Sequence, residues 1–279
     1  MITTVFMISG CGKEFPMTVS SFDGVPISYE VHGSGKPATL VFVHGWSCDR
    51  SYWDGQLTPL SSNYQIVTID LAGHGQSGME REAWTVASFA EDVAAVVKEL
   101  DLQNAILIGH SVGGDIIVEA ALHLPGRIKG LVMVDTYKQL ENPRPPEVVQ
   151  AFIAPFRENF QEKVQALVRS MFPANADKGL VERVALDMSS APPTVALPFM
   201  ESAITHDSKI TVSLQEVGIP VIALNPDNSP TDQNSLKRYG VSAVIMTGVG
   251  HFLMMENPEG FNRILLEIIE NLDSKNNNR

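Results

Sequence analysis

Ala105-Ile106-Leu107-Ile108-Gly109-His110-Ser111-Val112-Gly113-Gly114 is the stretch whose reading decides the fold. Its first four residues are apolar on both faces, as a central parallel strand must be. The residues after Ser111 run apolar at helical spacing and stop before Pro125-Gly126. G-x-S-x-G alone is a weak signal. With a strand before it and a helix after it, the run becomes a candidate nucleophile elbow. Its glycines permit a tight turn that lifts a serine hydroxyl above the strand end, at the N-terminus of the next helix.

Working outward, strand-like runs occur at residues 19–22 and 27–31, flanking Asp23-Gly24, a hairpin signal. Others follow at 40–43, 66–69, 131–134, 220–224 and 243–246. Helical spacing marks residues 86–100, and a last helix starts at Pro258 with Asn257 as its N-cap. A leading hairpin followed by alternating strand and helix predicts a mostly parallel eight-stranded sheet with helices on both faces, an α/β fold. The alternation breaks from Tyr137 to Ile210. That segment opens with Pro143, Pro145 and Pro146. It then carries Val148, Phe152, Phe156, Phe160, Val164, Leu167 and Met171 at steps of four or three, a helical stripe expected to bend at Pro155. We read 137–210 as a helical cap inserted after the sixth strand, 17–136 and 211–279 as the core, and 1–16 as an N-terminal tail or signal remnant. The stripe, with Phe152, Phe156 and Phe160, is expected to pack the cap on the core and in part to face a cleft.

The 279 residues carry 20 basic and 32 acidic side chains, a net charge of −12, which argues against a nucleic-acid partner. Hydrophobic residues make up 44%, enough for a sizeable core. Cys11 and Cys48 are too few for a disulfide framework or a four-cysteine zinc site. The seven histidines lack metal-ligand spacing, so no metal or cofactor is expected. No apolar run is long enough to span a membrane. Ile8-Ser9-Gly10-Cys11 is similar to a bacterial lipobox, but no Lys or Arg precedes it. Two localisations therefore stay open, a cytoplasmic protein with a free tail or a cell-envelope lipoprotein. The oligomeric state is not legible.

Serine at neutral pH needs a base, and the base needs an orienting carboxylate. His251 follows the strand-like run 243–246 and a short turn, at a strand's carboxyl end, where such sheets carry their sites. His44 belongs to His44-Gly45-Trp46, and His74 to the loop from Asp70 to Ser77. His110 is locked into the elbow as packing. His32, His123 and His206 read as surface residues. After Ser111 and before His251, Asp135 and Asp227 each follow a strand. Asp232 lies deeper in its loop and suits a helix N-cap or a surface charge.

The runs His44-Gly45-Trp46, Asp70 to Ser77, Gly109 to Gly114 and Gly248-Val249-Gly250-His251-Phe252 occur in an order that resembles the α/β-hydrolase family, in its bacterial serine esterase and lipase-like branch. The resemblance runs from about Val19 to Leu272. It implies Ser111 as nucleophile, His251 as base, and the backbone N–H groups of Trp46 and Val112 as oxyanion hole. It gives Asp70 through Gly75 a structural turn. Relatives that open epoxides or displace halide carry Asp at the elbow, so Ser111 implies acyl transfer. The acid more often follows the penultimate strand, which makes Asp227 the expected acid and Asp135 the alternative. Relatives often read G-x-x-D there, whereas this chain has Asn225-Pro226-Asp227. The implied activity is hydrolysis of a small-molecule carboxylic ester by water through an acyl-enzyme, with short to medium acyl chains. Thioester, lactone or carbon–carbon hydrolysis, perhydrolysis, and a ligand-sensing receptor on the same scaffold remain alternatives.

Overall fold

The computed structural model describes residues 17–36, 38–141 and 143–276. The segment 1–16, with Cys11, lies outside the described residues. Eight short, largely apolar segments pair into one sheet: β1 (Met17–Ser20), β2 (Pro26–His32), β3 (Thr39–Val43), β4 (Gln65–Ile69), β5 (Ala105–His110), β6 (Ile128–Val134), β7 (Val221–Pro226) and β8 (Val241–Met246). Their order is β1-β2-β4-β3-β5-β6-β7-β8. β2 pairs antiparallel with β1 and β4, and all later pairings are parallel. Every residue of β3 and β5 is buried, because helices cover both faces.

Core helices are α1 (Asp54–Ser61), α2 (Val86–Glu99) and α3 (Gly113–Leu122). Thr85 starts α2 by accepting the Ser88 N–H on its side chain at 3.1 Å. The sheet's winding reverses at β3, which has β4 on one side and β5 on the other. The loops leaving β3 and β5 therefore diverge at a crevice, the place where open α/β sheets hold their ligands.

Five helices stand between β6 and β7: α4 (Pro146–Glu158), α5 (Phe160–Ser170), α6 (Lys178–Ser189), α7 (Pro193–His206) and α8 (Ile210–Glu216). Pro155, where a bend is expected, lies inside α4. The break falls at Asn159, whose extended φ of −145° separates α4 from α5. The stripe expectation also needs correction on α4. The inward face is Val149, Ile153 and Phe156, whereas Val148 and Phe152 are 47% and 43% exposed. Both sets have helical spacing, and the choice between them is made by packing alone. The insertion is tied to the core by the Trp46 indole N–H donating to the Ala196 carbonyl at 2.7 Å, and by the Tyr52 hydroxyl donating to Asp187 at 2.6 Å.

After β7 come α9 (Gln233–Arg238), α10 (Leu253–Glu256) and α11 (Pro258–Asn276). Asp232 caps α9 by accepting the Ser235 N–H at 2.9 Å, and Asn257 accepts the Gly260 N–H at the start of α11.

Candidate active site

At the end of β5 the chain must reverse sharply into α3, and Ser111 takes the left-handed backbone this needs, with φ +54°. A non-glycine residue held there costs about 1–3 kcal/mol, so its neighbours must enforce it. The Ser111 N–H donates to Val134 O at 2.8 Å. Its carbonyl accepts from the Gly114 N–H at 2.9 Å and the Thr136 hydroxyl at 2.8 Å. Gly109 is required because a Cβ there would collide with the Gly113 backbone. Among the described residues no acceptor holds the Ser111 hydroxyl, and the residue stays partly exposed.

His251 lies in the turn after β8, and its backbone is clamped on both sides. Its N–H donates to Met171 O at 3.1 Å, and its carbonyl accepts from His110 Nε2 at 2.9 Å. The His110 and His251 ring centroids are 4.6 Å apart, so the residue preceding the serine packs on the His251 ring. The Glu256 carboxylate accepts the flanking Gly250 and Phe252 N–H groups at 2.9 and 3.1 Å. Neither Glu256 nor Met171 was foreseen in these contacts, and nothing in their sequence spacing marks them.

The structure pairs His251 with Asp135, the alternative carboxylate, and not with Asp227. His251 Nδ1 donates to Asp135 Oδ2 at 2.7 Å, leaving Nε2 as the proton acceptor. Asp227 instead accepts the Gly248 N–H at 2.9 Å and is exposed. The reason is strand length. β7 runs through Pro226, paired with Met246, and so carries Asp227 past the site to the exit of β8. Buried Asn225 gives its amide to the Tyr137 carbonyl at 2.8 Å. Asp135 leaves β6 at φ +48°, and its side chain meets His251. Burial pushes the Asp135 carboxyl up, but the hydrogen bonds and charges of His251 and Lys138 outweigh it and hold the group below the usual carboxylate range. Lys138 was not foreseen; its position three residues after Asp135 is the one signal the sequence carries.

The two expected backbone donors lie on the segments next to the serine. Val112 is the N-cap of α3, where N–H groups and the helix dipole favour negative charge. A Cβ on Gly45 would lie 3.2 Å from the Ser111 Cβ, so the loop after β3 passes close to the serine and brings Trp46 there. Among the described residues neither the Val112 nor the Trp46 N–H is given to a protein acceptor. The Trp46 indole serves the cap, and its ring meets Phe160 edge-on at 6.2 Å. Asp70 holds the structural turn, accepting the Arg50 and Gln76 N–H groups at 2.9 Å each and pairing with the Arg50 guanidinium. His206, read as a surface residue, is buried beside Glu119 at 3.2 Å.

Three buried histidines frame the site and stay neutral. Burial pushes His44 down to about 4, and His74 and His110 to about 3. The unfolded chain takes up their protons below the ordinary value of 6.5, while the folded protein refuses them until pH 4 or lower. Their stabilising contribution is thus complete above pH 6.5 and is lost as pH falls toward the folded values. Asp115 opposes this, because burial pushes it up to about 7 and the fold keeps a proton that the unfolded chain releases. Other groups, His206 and Asp92 among them, are held above their ordinary values and also favour the fold at lower pH. Substitution isolates the Asp115 contribution: the Asp115→Asn protein should lose about 2 kcal/mol more stability than wild type between pH 7 and pH 5. Urea unfolding of both proteins at the two pH values checks this, and an equal loss would contradict it.

Among the described residues no cluster of three or more His, Cys, Asp or Glu is placed to hold a metal ion. No described helix is long and apolar enough to cross a membrane. The sequence profile of the alpha/beta hydrolase fold matches residues 38–177, which contain Trp46, the elbow and Asp135. The chain belongs to the α/β-hydrolase family. It is 38% identical over 119 residues to a non-heme chloroperoxidase of Streptomyces lividans, covering 42% of this chain and 43% of that protein. It is 31% identical over 170 residues to the dihydrolipoyllysine-residue acetyltransferase component of the acetoin cleaving system of Cupriavidus necator, covering 59% of this chain and 42% of that one. The chain thus spans less than half the length of these relatives. An esterase from Exiguobacterium antarcticum superposes with a TM-score of 0.79 at 18% identity, covering 92% of this chain and 100% of the esterase. At that identity the likeness carries the fold alone.

Proposed function

We propose that this α/β hydrolase is a serine esterase that cleaves small carboxylic esters through an acyl-enzyme, with Ser111, His251 and Asp135 as its triad. The carrying observation is the 2.7 Å bond from His251 Nδ1 to Asp135, with the His251 ring packed on His110, the residue that precedes the elbow serine. His251 Nε2 takes the Ser111 proton as Oγ attacks the ester carbonyl. The developing oxyanion accepts from the Trp46 and Val112 N–H groups, each worth about 3–4 kcal/mol in a preorganised hole. His251 then returns the proton to the departing alkoxide. Water repeats the sequence on the acyl-enzyme and releases the acid. The apolar side chains of Trp46, Val112 and Phe160 around the donors favour short to medium acyl chains over charged ones.

Chromogenic esters graded by acyl length, tried on wild type and Ser111→Ala in parallel, test the reading. Turnover confined to the wild type with a maximum among uncharged short to medium chains supports it, and turnover equal in both proteins rejects it. The similarity to a chloroperoxidase supports a second reading on the same residues. Hydrogen peroxide in place of water at the acyl-enzyme would release a peracid, which halide oxidation in the presence of acetate and peroxide would reveal.

A further inference from the structure

The Asp135 carboxylate has two oxygens, and His251 occupies one. The other, Oδ1, lies 2.9 Å from the Lys138 ammonium. Lys138 Nζ also donates to the Pro226 carbonyl at 2.9 Å, and the lysine's own carbonyl accepts the Asp232 N–H at 2.8 Å. A lysine head on its four-carbon stem is ordinarily mobile. Here its head and backbone are both fastened to the segment around the end of β7, across from the acid. We propose that Lys138 is a positioning residue for the triad: its ammonium locks the carboxylate rotamer that aims Oδ2 at His251, and it withdraws part of the negative charge that the imidazole would otherwise receive. The inference rests on the triad reading above.

Lys138 and the imidazolium that forms on His251 then share one carboxylate, with opposite consequences for rate and pH dependence. Removing the Lys138 charge leaves Asp135 to stabilise imidazolium alone, so His251 holds its proton more tightly. It also frees the carboxylate to rotate, so the aligned geometry is populated less often. The other groups facing His251 are neutral His110 from β5 and the Glu256 carboxylate from α10, with exposed Asp227 on the neighbouring Gly248. Among the described residues the ionic partners of Asp135 are His251 and Lys138 alone. Lys138 is 24% exposed and lines a cleft of about 270 Å³ with Thr136, Arg144 and Asp207, so solvent screens part of its field.

The test is the pH profile of kcat/KM on a chromogenic ester for wild type, Lys138→Met, Lys138→Arg and Asp135→Asn. The His251 imidazole is titrated by NMR in the Ser111→Ala protein, with and without Lys138→Met. Lys138→Met should move the acid limb alkaline by about half to one pH unit and lower kcat by about tenfold. Lys138→Arg should return the limb, and the NMR titration should shift equally without any turnover. A Lys138→Met protein that melts like wild type yet leaves limb and NMR titration unmoved overturns the proposal. So does a fall in kcat without the alkaline shift, which a merely structural lysine would produce. If Lys138→Met does not fold, Lys138→Gln, an uncharged donor, is judged by the same two outcomes. Full activity in Asp135→Asn would overturn the triad reading itself. Crippled Asp135→Asn with unmoved lysine variants would overturn this inference alone.

Discussion

Ser111→Ala should lower ester turnover on the order of 10⁶-fold, the scale seen when a triad nucleophile is removed, and should abolish burst-phase acylation. The residual rate belongs to the oxyanion donors and to substrate binding, which the substitution leaves in place. Stability should hardly change, because alanine fits the same volume and suffers the same left-handed backbone. Ser111→Gly separates function from fold more sharply. Glycine adopts φ +54° without a Cβ penalty, so this inactive variant should gain roughly 1 kcal/mol in stability. Steady-state kinetics and urea unfolding on the three proteins check both halves, and a Ser111→Gly protein less stable than Ser111→Ala would contradict the strain argument.

Asp135→Asn should cost on the order of 10⁴ in kcat, whereas Asp227→Asn should keep most activity. An amide at 135 offers a donor where Nδ1–H needs an acceptor. It therefore favours the wrong tautomer, and the negative charge that stabilises imidazolium disappears. It also leaves the Lys138 ammonium facing a neutral group. At 227 the carboxylate accepts the Gly248 N–H at the exposed exit of β8, a bond that the asparagine oxygen can still accept. Rates on one ester at a fixed pH decide the matter. The reverse ranking would return the acid to Asp227.

The contrast between these two carboxylates marks how far sequence could reach. The central strands stand out as short apolar runs because helices bury them on both faces, and the elbow follows from its strand and helix neighbours. The exposed edge strand β1 begins two residues before the apolar run at 19–22. Chain order brought Asp135 and Asp227 level, since both follow a strand between the serine and the histidine. What separates them is side-chain direction, set by one left-handed residue at 135 and by two more residues of strand in β7 than its apolar run suggests. The face of α4 is similar: Val148 with Phe152 and Val149 with Ile153 have the same spacing, and only packing on the core chooses between them. Cap-to-core ties such as Met171 to His251 join residues 80 positions apart and have no periodic trace.

The central claim, that Ser111 is activated by His251 and Asp135, is tested most directly by stoichiometric phosphonylation followed by peptide mass spectrometry. Wild type should take one phosphonyl group per chain, on the peptide bearing Ser111. Asp227→Asn should label at a comparable rate, and Asp135→Asn far more slowly. An unlabelled wild type, a label on another residue, or an Asp135→Asn protein that reacts as fast as wild type would contradict the account.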